Sequence, residues 1–473
     1  MLILAAQQLQ TLPKETLRTK YTMIKIHKTI LVLSAAIILC LPAANAQKKI
    51  WTMDECMEYA VGHSTAVSKK IYQLSTFNAQ YNNALNSFFP KLTTEITGQY
   101  NWGRGIDPET NTYNTVTTFN NYYGVYASMY LFEGGQIINQ FKNALLNKKM
   151  GISDIQQTRD EMALEIMQDF IDAAYYNGCT GLAKKKLEES NELLYKTCKE
   201  EELGMKSEPE VVQIKSQVAE DDYNLTHQQN LCDAAFFKLK SDMNFPACDS
   251  FQIDTTLQSF VPQYRVENIE EIYNLAAENN PAAISSSYRV RSAKILFNIA
   301  KGKLLPTVSL SGGIGTSYYK NFSSSASYSS FRSQIDNNRG EYIGATLSIP
   351  LFGNGARYAL RKARNDMKIA ILDNQEAMRK LHNDIEQSVM DCNGYAKEMS
   401  QMSKKVEADS LSHLMNKRKF EEGMISAMDL KTSSSTLLQS RIILLQTKML
   451  YILKNKLVEY YKGKELVKLP TGD

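Results

Sequence analysis

Little in this chain is suited to chemistry. Only 5 histidines occur in 473 residues, with no pair at helical spacing, so a histidine metal centre is excluded. The cysteines Cys56, Cys179, Cys198, Cys232, Cys248 and Cys392 show neither a CxxC pair nor metal-ligand spacing. No GxSxG elbow and no phosphate-cradling glycine loop is present, so neither an enzyme nor a cofactor is expected. The net charge of +4 is small for this length, which argues against a nucleic-acid partner. Proline is scarce too, at 11, and none falls between Gln136 and Leu203, which leaves room for very long helices. The uncharged stretch Thr110–Phe132 is long enough for a spanning helix, but its Asn, Thr and Tyr content and its alternation exclude one.

An export signal is present. Lys25 and Lys28 precede an apolar core from Ile30 to Leu41, then Ala44-Asn45-Ala46, the order of a cleaved signal peptide over residues 1–46. Residues 1–22 fit no part of that scheme, which makes Met23 a candidate start. Ile37-Ile38-Leu39 lacks the small residues that precede a lipidated cysteine, so Cys40 does not indicate a lipoprotein. Export permits oxidation of the other six cysteines, but their scatter suits small buried residues better.

Tyrosine is plentiful, at 26, and concentrates in alternating segments. After Phe88-Phe89-Pro90, one face of an extended run carries Leu92, Thr94, Ile96, Gly98, Tyr100 and Trp102, and the other only polar residues from Thr93 to Asn101. A second run, Tyr122–Phe132, sets Tyr123, Val125, Ala127, Met129 and Leu131 against Tyr122, Gly124, Tyr126, Ser128 and Tyr130. After Leu304-Leu305-Pro306 the pattern returns with Val308, Leu310 and Ile314 to Tyr318, and again with Ile343, Ala345, Leu347 and Ile349. A period of two over about ten residues, with aromatics at one end, is the pattern of a membrane β-strand.

Helices surround these strands. Trp51–Gly62 opens one behind a Thr52/Glu55 capping box, and Ala66–Ser87 forms a second. After strands separated by a polar loop, Gly103–Asn121, a helix runs from Gln136 to about Leu203, with Gly178 and Gly181 marking an expected irregularity. It turns at Gly204 and returns from Glu210 to about Ser241. The same order restarts after a linker at 246–264: helices near 270–279 and 282–303, a strand, a serine-rich loop at 321–333, a strand, and long helices 356–422 and 429–461. Pro90 and Pro306 are 216 residues apart, Phe132 and Phe352 are 220, and Gly204 and Gly423 are 219. So constant an offset indicates a duplicated unit, 47–245 and 265–463, with a tail at 464–473.

Four spanning strands cannot close a barrel, and open edges are not tolerated in lipid. The strands must therefore be shared between chains: two copies give eight strands and three give twelve, and the period alone does not choose.

Several of these segments resemble the TolC-like outer-membrane efflux proteins. They are Trp51–Gly62, Phe88-Phe89-Pro90-Lys91-Leu92, Tyr130–Gly135 with its counterpart Pro350–Gly355, and Phe420-Glu421-Glu422-Gly423. The resemblance spans about Trp51 to Tyr461. It implies a homotrimer whose four strands per chain make a twelve-stranded barrel in outer-membrane lipid, continued by a coiled-coil-like helical tunnel through the periplasm of a Gram-negative bacterium. It further implies a passive export duct for efflux or type I secretion, docked to a periplasmic adaptor and an inner-membrane pump. Its tunnel entrance would carry Asp429, six residues after Gly423, and Glu210, six after Gly204. A carboxylate there also suits the helix dipole. The polar residues that hold the entrance shut in the best-known member correspond here to Phe420 and Ile425, so closure is expected from apolar packing among Phe420, Met424, Ile425 and Met428. The turns Leu203-Gly204-Met205 and Glu422-Gly423-Met424 are the expected adaptor contacts. The runs Lys184–Lys186 and Lys404-Lys405 read as solvated helix faces. A periplasm-spanning coiled-coil tether with no pore is the alternative, but it leaves the alternating strands unexplained.

Overall fold

A computed structural model describes residues 50–106, 111–246, 251–254, 264, 267–323, 329–352 and 355–467. The signal peptide, Cys248, Gly353, Asn354 and much of the linker and tail lie outside them. Ile50, Trp51, Phe251 and Gln252 belong to a small unit of paired two-residue strands, with the Trp51 and Phe251 rings 6.1 Å apart. A second unit holds every other element.

In that unit α1 (Met53–His63) starts at the expected box. The Thr52 N–H donates to Glu55 Oε2 at 2.9 Å, and the Glu55 N–H donates to Thr52 Oγ1 at 3.3 Å. Helix α2 (Thr65–Asn86) is capped by Ser64 and followed by β1 (Lys91–Ile106) and β2 (Tyr113–Glu133). Helix α3 (Gln136–Glu202) and α4 (Glu208–Asp242) form the first hairpin. Then come α5 (Ile269–Asn279), α6 (Pro281–Gly302), β3 (Thr307–Asn321), α7 (Phe331–Asn337) and β4 (Gly340–Ser348). The second hairpin is α8 (Ala356–Glu421) with α9 (Ala427–Tyr461). Corresponding helices match in length: 11 and 11 residues, 22 and 22, 67 and 66, 35 and 35. At 1.5 Å per residue, α3 is about 100 Å long.

Three expectations are corrected. The segment read as a polar loop is largely strand, because β1 runs on to Ile106 and β2 begins at Tyr113. Its Thr, Tyr and Val residues favour extended backbone, and pairing with a neighbour decides the matter. The serine-rich loop is followed by a short helix, α7, whose Ser330 side chain accepts from the Ser333 N–H. Helix α3 passes through Gly178 and Gly181 unbroken. Gly178 serves packing instead: a β-carbon there would lie 2.5 Å from Leu445 Cδ2 on α9.

The four strands form one antiparallel sheet in the order β1-β2-β3-β4. Among the helices, α3 packs against α1, α2, α4, α6 and α9, and α8 packs against α5, α6 and α9. Met57, Ile166, Met167, Phe170 and Ile171 are buried in the first half, and Ile272, Ala276, Ile385, Val389 and Val458 cluster in the second. Each of the buried Met, Ile, Phe and Val side chains contributes about 1.5–3 kcal/mol. A polar tie joins the halves: Tyr460 Oη donates to Asp160 Oδ2 at 2.9 Å and accepts from Asn280 Nδ2 at 3.2 Å.

Candidate functional site: the hairpin tips and the two faces of the sheet

Both hairpins turn by the same chemistry. Helix α3 ends where the Met205 N–H reaches Glu200 O and the Gly204 N–H reaches Glu201 O, both at 2.8 Å. Helix α8 ends likewise, with Met424 on Lys419 O at 2.8 Å and Gly423 on Phe420 O at 3.1 Å. This double closure needs a left-handed residue, and Gly204 and Gly423 supply it, each at φ 74°. Three residues after each glycine, Ser207 and Ser426 cap the return helices.

At these serines sit the two acids picked out by spacing. Glu210 Oε2 accepts from the Ser207 N–H and hydroxyl, both at 3.0 Å. Asp429 Oδ2 accepts from the Ser426 N–H at 3.2 Å and its hydroxyl at 2.7 Å. The Ser207 N–H holds the Glu210 carboxyl below its usual range, and the Ser426 hydroxyl does the same for Asp429. Both therefore stay ionised through neutral pH. Because their values are depressed, the caps contribute fully above the ordinary carboxylate range and fade as pH falls through the lowered values. The capping role is thus realised, and Asp429 remains an exposed residue.

The expected apolar closing set divides. Phe420 is only 1% exposed within a single chain, in a cluster with Ile214, Ala427 and Leu430, with Ile425 packed against it. The apolar packing of Phe420 with Ile425 is thus made within one chain. Met424 and Met428 remain 67% and 63% exposed.

What meets Phe420 was not foreseen. The Lys206 ammonium from the first hairpin lies 4.2 Å from the centre of its ring and 3.4 Å from Glu210 Oε1. Phe420 has no polar group to pair with the ammonium, but its ring face attracts the cation. Lys196–Glu421 at 3.1 Å and Lys431–Glu220 at 2.7 Å also join the hairpins, though both pairs are exposed and contribute little.

One lysine read as solvated, Lys186, is corrected, whereas Lys405 stays on an exposed face, its side chain 49% exposed. Lys186 turns inward and donates to Ser434 Oγ, with Asp221 at 3.9 Å, and burial pushes its ammonium below the usual lysine range. Lys405 donates to Ser440 Oγ at 2.8 Å and to Asp409. Lys186 lines a cavity of about 230 Å³ between the hairpin tips, with Gln217, His413, Lys417 and Leu430 among the other walls. Burial lowers the pKa of His413 there.

In the sheet, cross-strand register puts the expected apolar residues on one face. Leu92 opposes Ala127 and Ile96 opposes Tyr123, while Val125 opposes Ile314, Leu310 opposes Ala345 and Val308 opposes Leu347. Leu92, Ile96, Trp102, Ile343 and Leu347 are well exposed on that face. Aromatic rings gather at its far end, with Tyr100 4.7 Å from Phe119, 5.8 Å from Trp102 and 5.9 Å from Phe322. One shift departs from simple alternation. The register steps between Tyr130 and Phe132, so that Phe132 opposes Val308 and Leu131 is the extra residue of a bulge.

The opposite face carries Thr93, Glu95, Thr97, Tyr122, Tyr126, Ser309, Ser311, Tyr342 and Thr346. No described helix is long and apolar enough to cross a membrane.

Residues 272–452 match the family described as outer membrane efflux protein. No curated protein matches the chain in sequence. Among solved structures, the CmeC outer membrane channel of Campylobacter jejuni aligns with TM-score 0.74 at 14% identity, over 87% of this chain and 85% of its own. The outer membrane protein VceC of Vibrio cholerae aligns with TM-score 0.74 at 13% identity, over 88% and 96%. The open state of the MtrE outer membrane channel of Neisseria gonorrhoeae gives 0.72 at 14%, over 88% and 90%. By sequence in its second half and by fold over most of its length, the chain is similar to the TolC-like outer-membrane efflux proteins.

Proposed function

We propose that the chain is one of three subunits of a passive export duct across the outer membrane and periplasm. The observation that carries this reading is the sheet: four antiparallel strands, apolar on one face and polar on the other, with both edges unpaired among the described residues. The free edge of β1 is 16 residues long and that of β4 is 9. Unpaired edges in lipid cost several kcal/mol per group. Since β1 and β4 run in opposite directions, the β1 edge of one copy pairs antiparallel with the β4 edge of the next, and the ring closes. Three copies give twelve strands and leave a lumen lined by the polar face; two would give eight, filled by side chains.

The dimensions agree. Leu92 to Trp102 spans about 33 Å of strand. At a tilt of roughly 40° that is about 25 Å of membrane thickness, the height of an outer-membrane apolar band. The equal helix lengths support the duplicated unit, with 47–245 and 265–463 as its copies. The helices continue the wall into the periplasm as a tunnel.

At the tunnel entrance, Asp429 and Glu210 ring the opening, while Met424 and Met428 supply the exposed apolar contact between copies. These carboxylates form weak, salt-sensitive cation sites. Leu203 and Met205, 75% and 71% exposed, together with Gly204, Glu422, Gly423 and Met424, present the apolar tips on which a periplasmic adaptor docks, with an inner-membrane pump beyond it. The chain itself then needs neither cofactor nor catalytic residue.

Planar-bilayer recording of the purified full-length protein tests the reading. Discrete single-channel currents are expected. Their absence from protein inserted in the bilayer favours a poreless tether.

A further inference from the structure

The lumenal face of the sheet is not uniformly polar. Midway along it lies a shallow floor of glycines: Glu95 of β1 is opposite Gly124, which is opposite Gly315, which is opposite Gly340. One row nearer the helices, Tyr126 is opposite Gly313 and Gly313 opposite Tyr342. The missing side chains are replaced by rings lying on the wall. A β-carbon at Gly124 would come within 2.8 Å of Tyr122 Cε1 and Tyr126 Oη. At Gly313 it would come within 2.7 Å of Tyr126 Cδ1 and 2.9 Å of Tyr342 Cε1, and at Gly315 it would overlap the Tyr122 hydroxyl.

The rings are fixed as well as seated. Tyr126 Oη donates to Tyr122 Oη at 2.6 Å, and the Tyr126 and Tyr342 rings are 6.5 Å apart. The Tyr126 and Tyr342 planes are inclined at 47° to each other, and Tyr122, Tyr126 and Tyr342 all keep part of their surface accessible on this face. Beside them stands Glu95, whose Oε1 accepts from Thr97 Oγ1 at 3.3 Å. The nearest cation on its strand face, Lys91, is two rows away, about 13 Å along the strand. A carboxylate whose nearest strand-face cation is that far away, next to the Tyr122 and Tyr126 rings of the adjacent strand and with Tyr342 beyond Tyr126, is the composition that receives an organic ammonium ion: the carboxylate supplies the charge, and the rings supply cation–π attraction without strong hydration.

We infer that Glu95, Tyr122, Tyr126 and Tyr342 form a binding site for an organic cation, one per subunit, on the inner wall of the barrel. The inference rests on the duct reading for which face is the lumen. It adds a selectivity point within the membrane, apart from the acids at the helical entrance.

The test is block of single-channel current by benzyltrimethylammonium chloride, applied to the full-length protein from the barrel side. The wild-type current is reduced in a concentration-dependent way. Glu95→Gln and Tyr126→Ala each raise the half-blocking concentration about 5-fold or more, whereas Tyr126→Phe, which keeps the ring, stays within about 2-fold. Glu95→Gln is near-isosteric at an exposed position, so it carries the test even where Tyr126→Ala disturbs the wall. A conducting channel that the probe does not block overturns the site. Block that is unchanged in Glu95→Gln also overturns it and moves the site elsewhere. Absence of all current contradicts the duct reading itself and removes the site with it.

Discussion

Lys206 bridges the two hairpin tips, reaching from the first hairpin to Phe420 of the second. Its side chain is 9% exposed, and its ammonium serves Glu210 and the Phe420 ring at once. A desolvated cation–π contact contributes about 0.5–2 kcal/mol, enough to shift an open–closed balance by roughly 2- to 30-fold. Lys206→Met should therefore raise the open probability of the channel in bilayers by a factor in that range. Lys199→Met, which loses only a partner on the same helix, Glu202, should leave it unchanged. Equal behaviour of the two variants would show that Lys206 does not hold the entrance. Counting six residues from each turn glycine located Glu210 and Asp429, because a repeated local motif is visible in one dimension. The Lys206–Phe420 pairing was not legible, since its members are 214 residues apart and meet only when two hairpins pack. The inward turn of Lys186, within a run of three lysines, was hidden for the same reason.

At the scale of elements, helices were easier to read than strands. Capping residues and the 3.6-residue period act locally, and the expected and observed helices agree to within a few residues at most ends. Strand limits depend on a partner. Tyr113–Asn121 looked like loop until pairing with β1 and β3 extended it, and the bulge at Leu131 follows from the match between β2 and β3. Gly178 was misread because a glycine that admits a neighbouring side chain looks the same in sequence as one that bends a helix. The alternation itself was correct, and it can be tested on adjacent residues of β1. Ile96→Lys places a charge on the lipid face near mid-depth and should cost about 2–4 kcal/mol of barrel stability. Thr97→Lys faces the lumen and should cost little. Thermal unfolding of the detergent-solubilised assembly reads the difference, and equal losses would contradict the assignment of faces.

For the molecule as a whole, the order of elements and the near-constant offset make the architecture legible in the sequence. Fold similarity at 13–14% identity agrees with that reading, although so low an identity bears on fold alone. On the duct reading, a single chain does not display its own closure, because the surfaces that would complete the barrel belong to other copies. The open edges of β1 and β4 state the need for partners, and lumen size argues for three. The most direct test is the native mass of the protein extracted from outer membranes in mild detergent. The account predicts three times the mass of the mature chain. A monomer recovered without detergent, or a stable dimer, would contradict it.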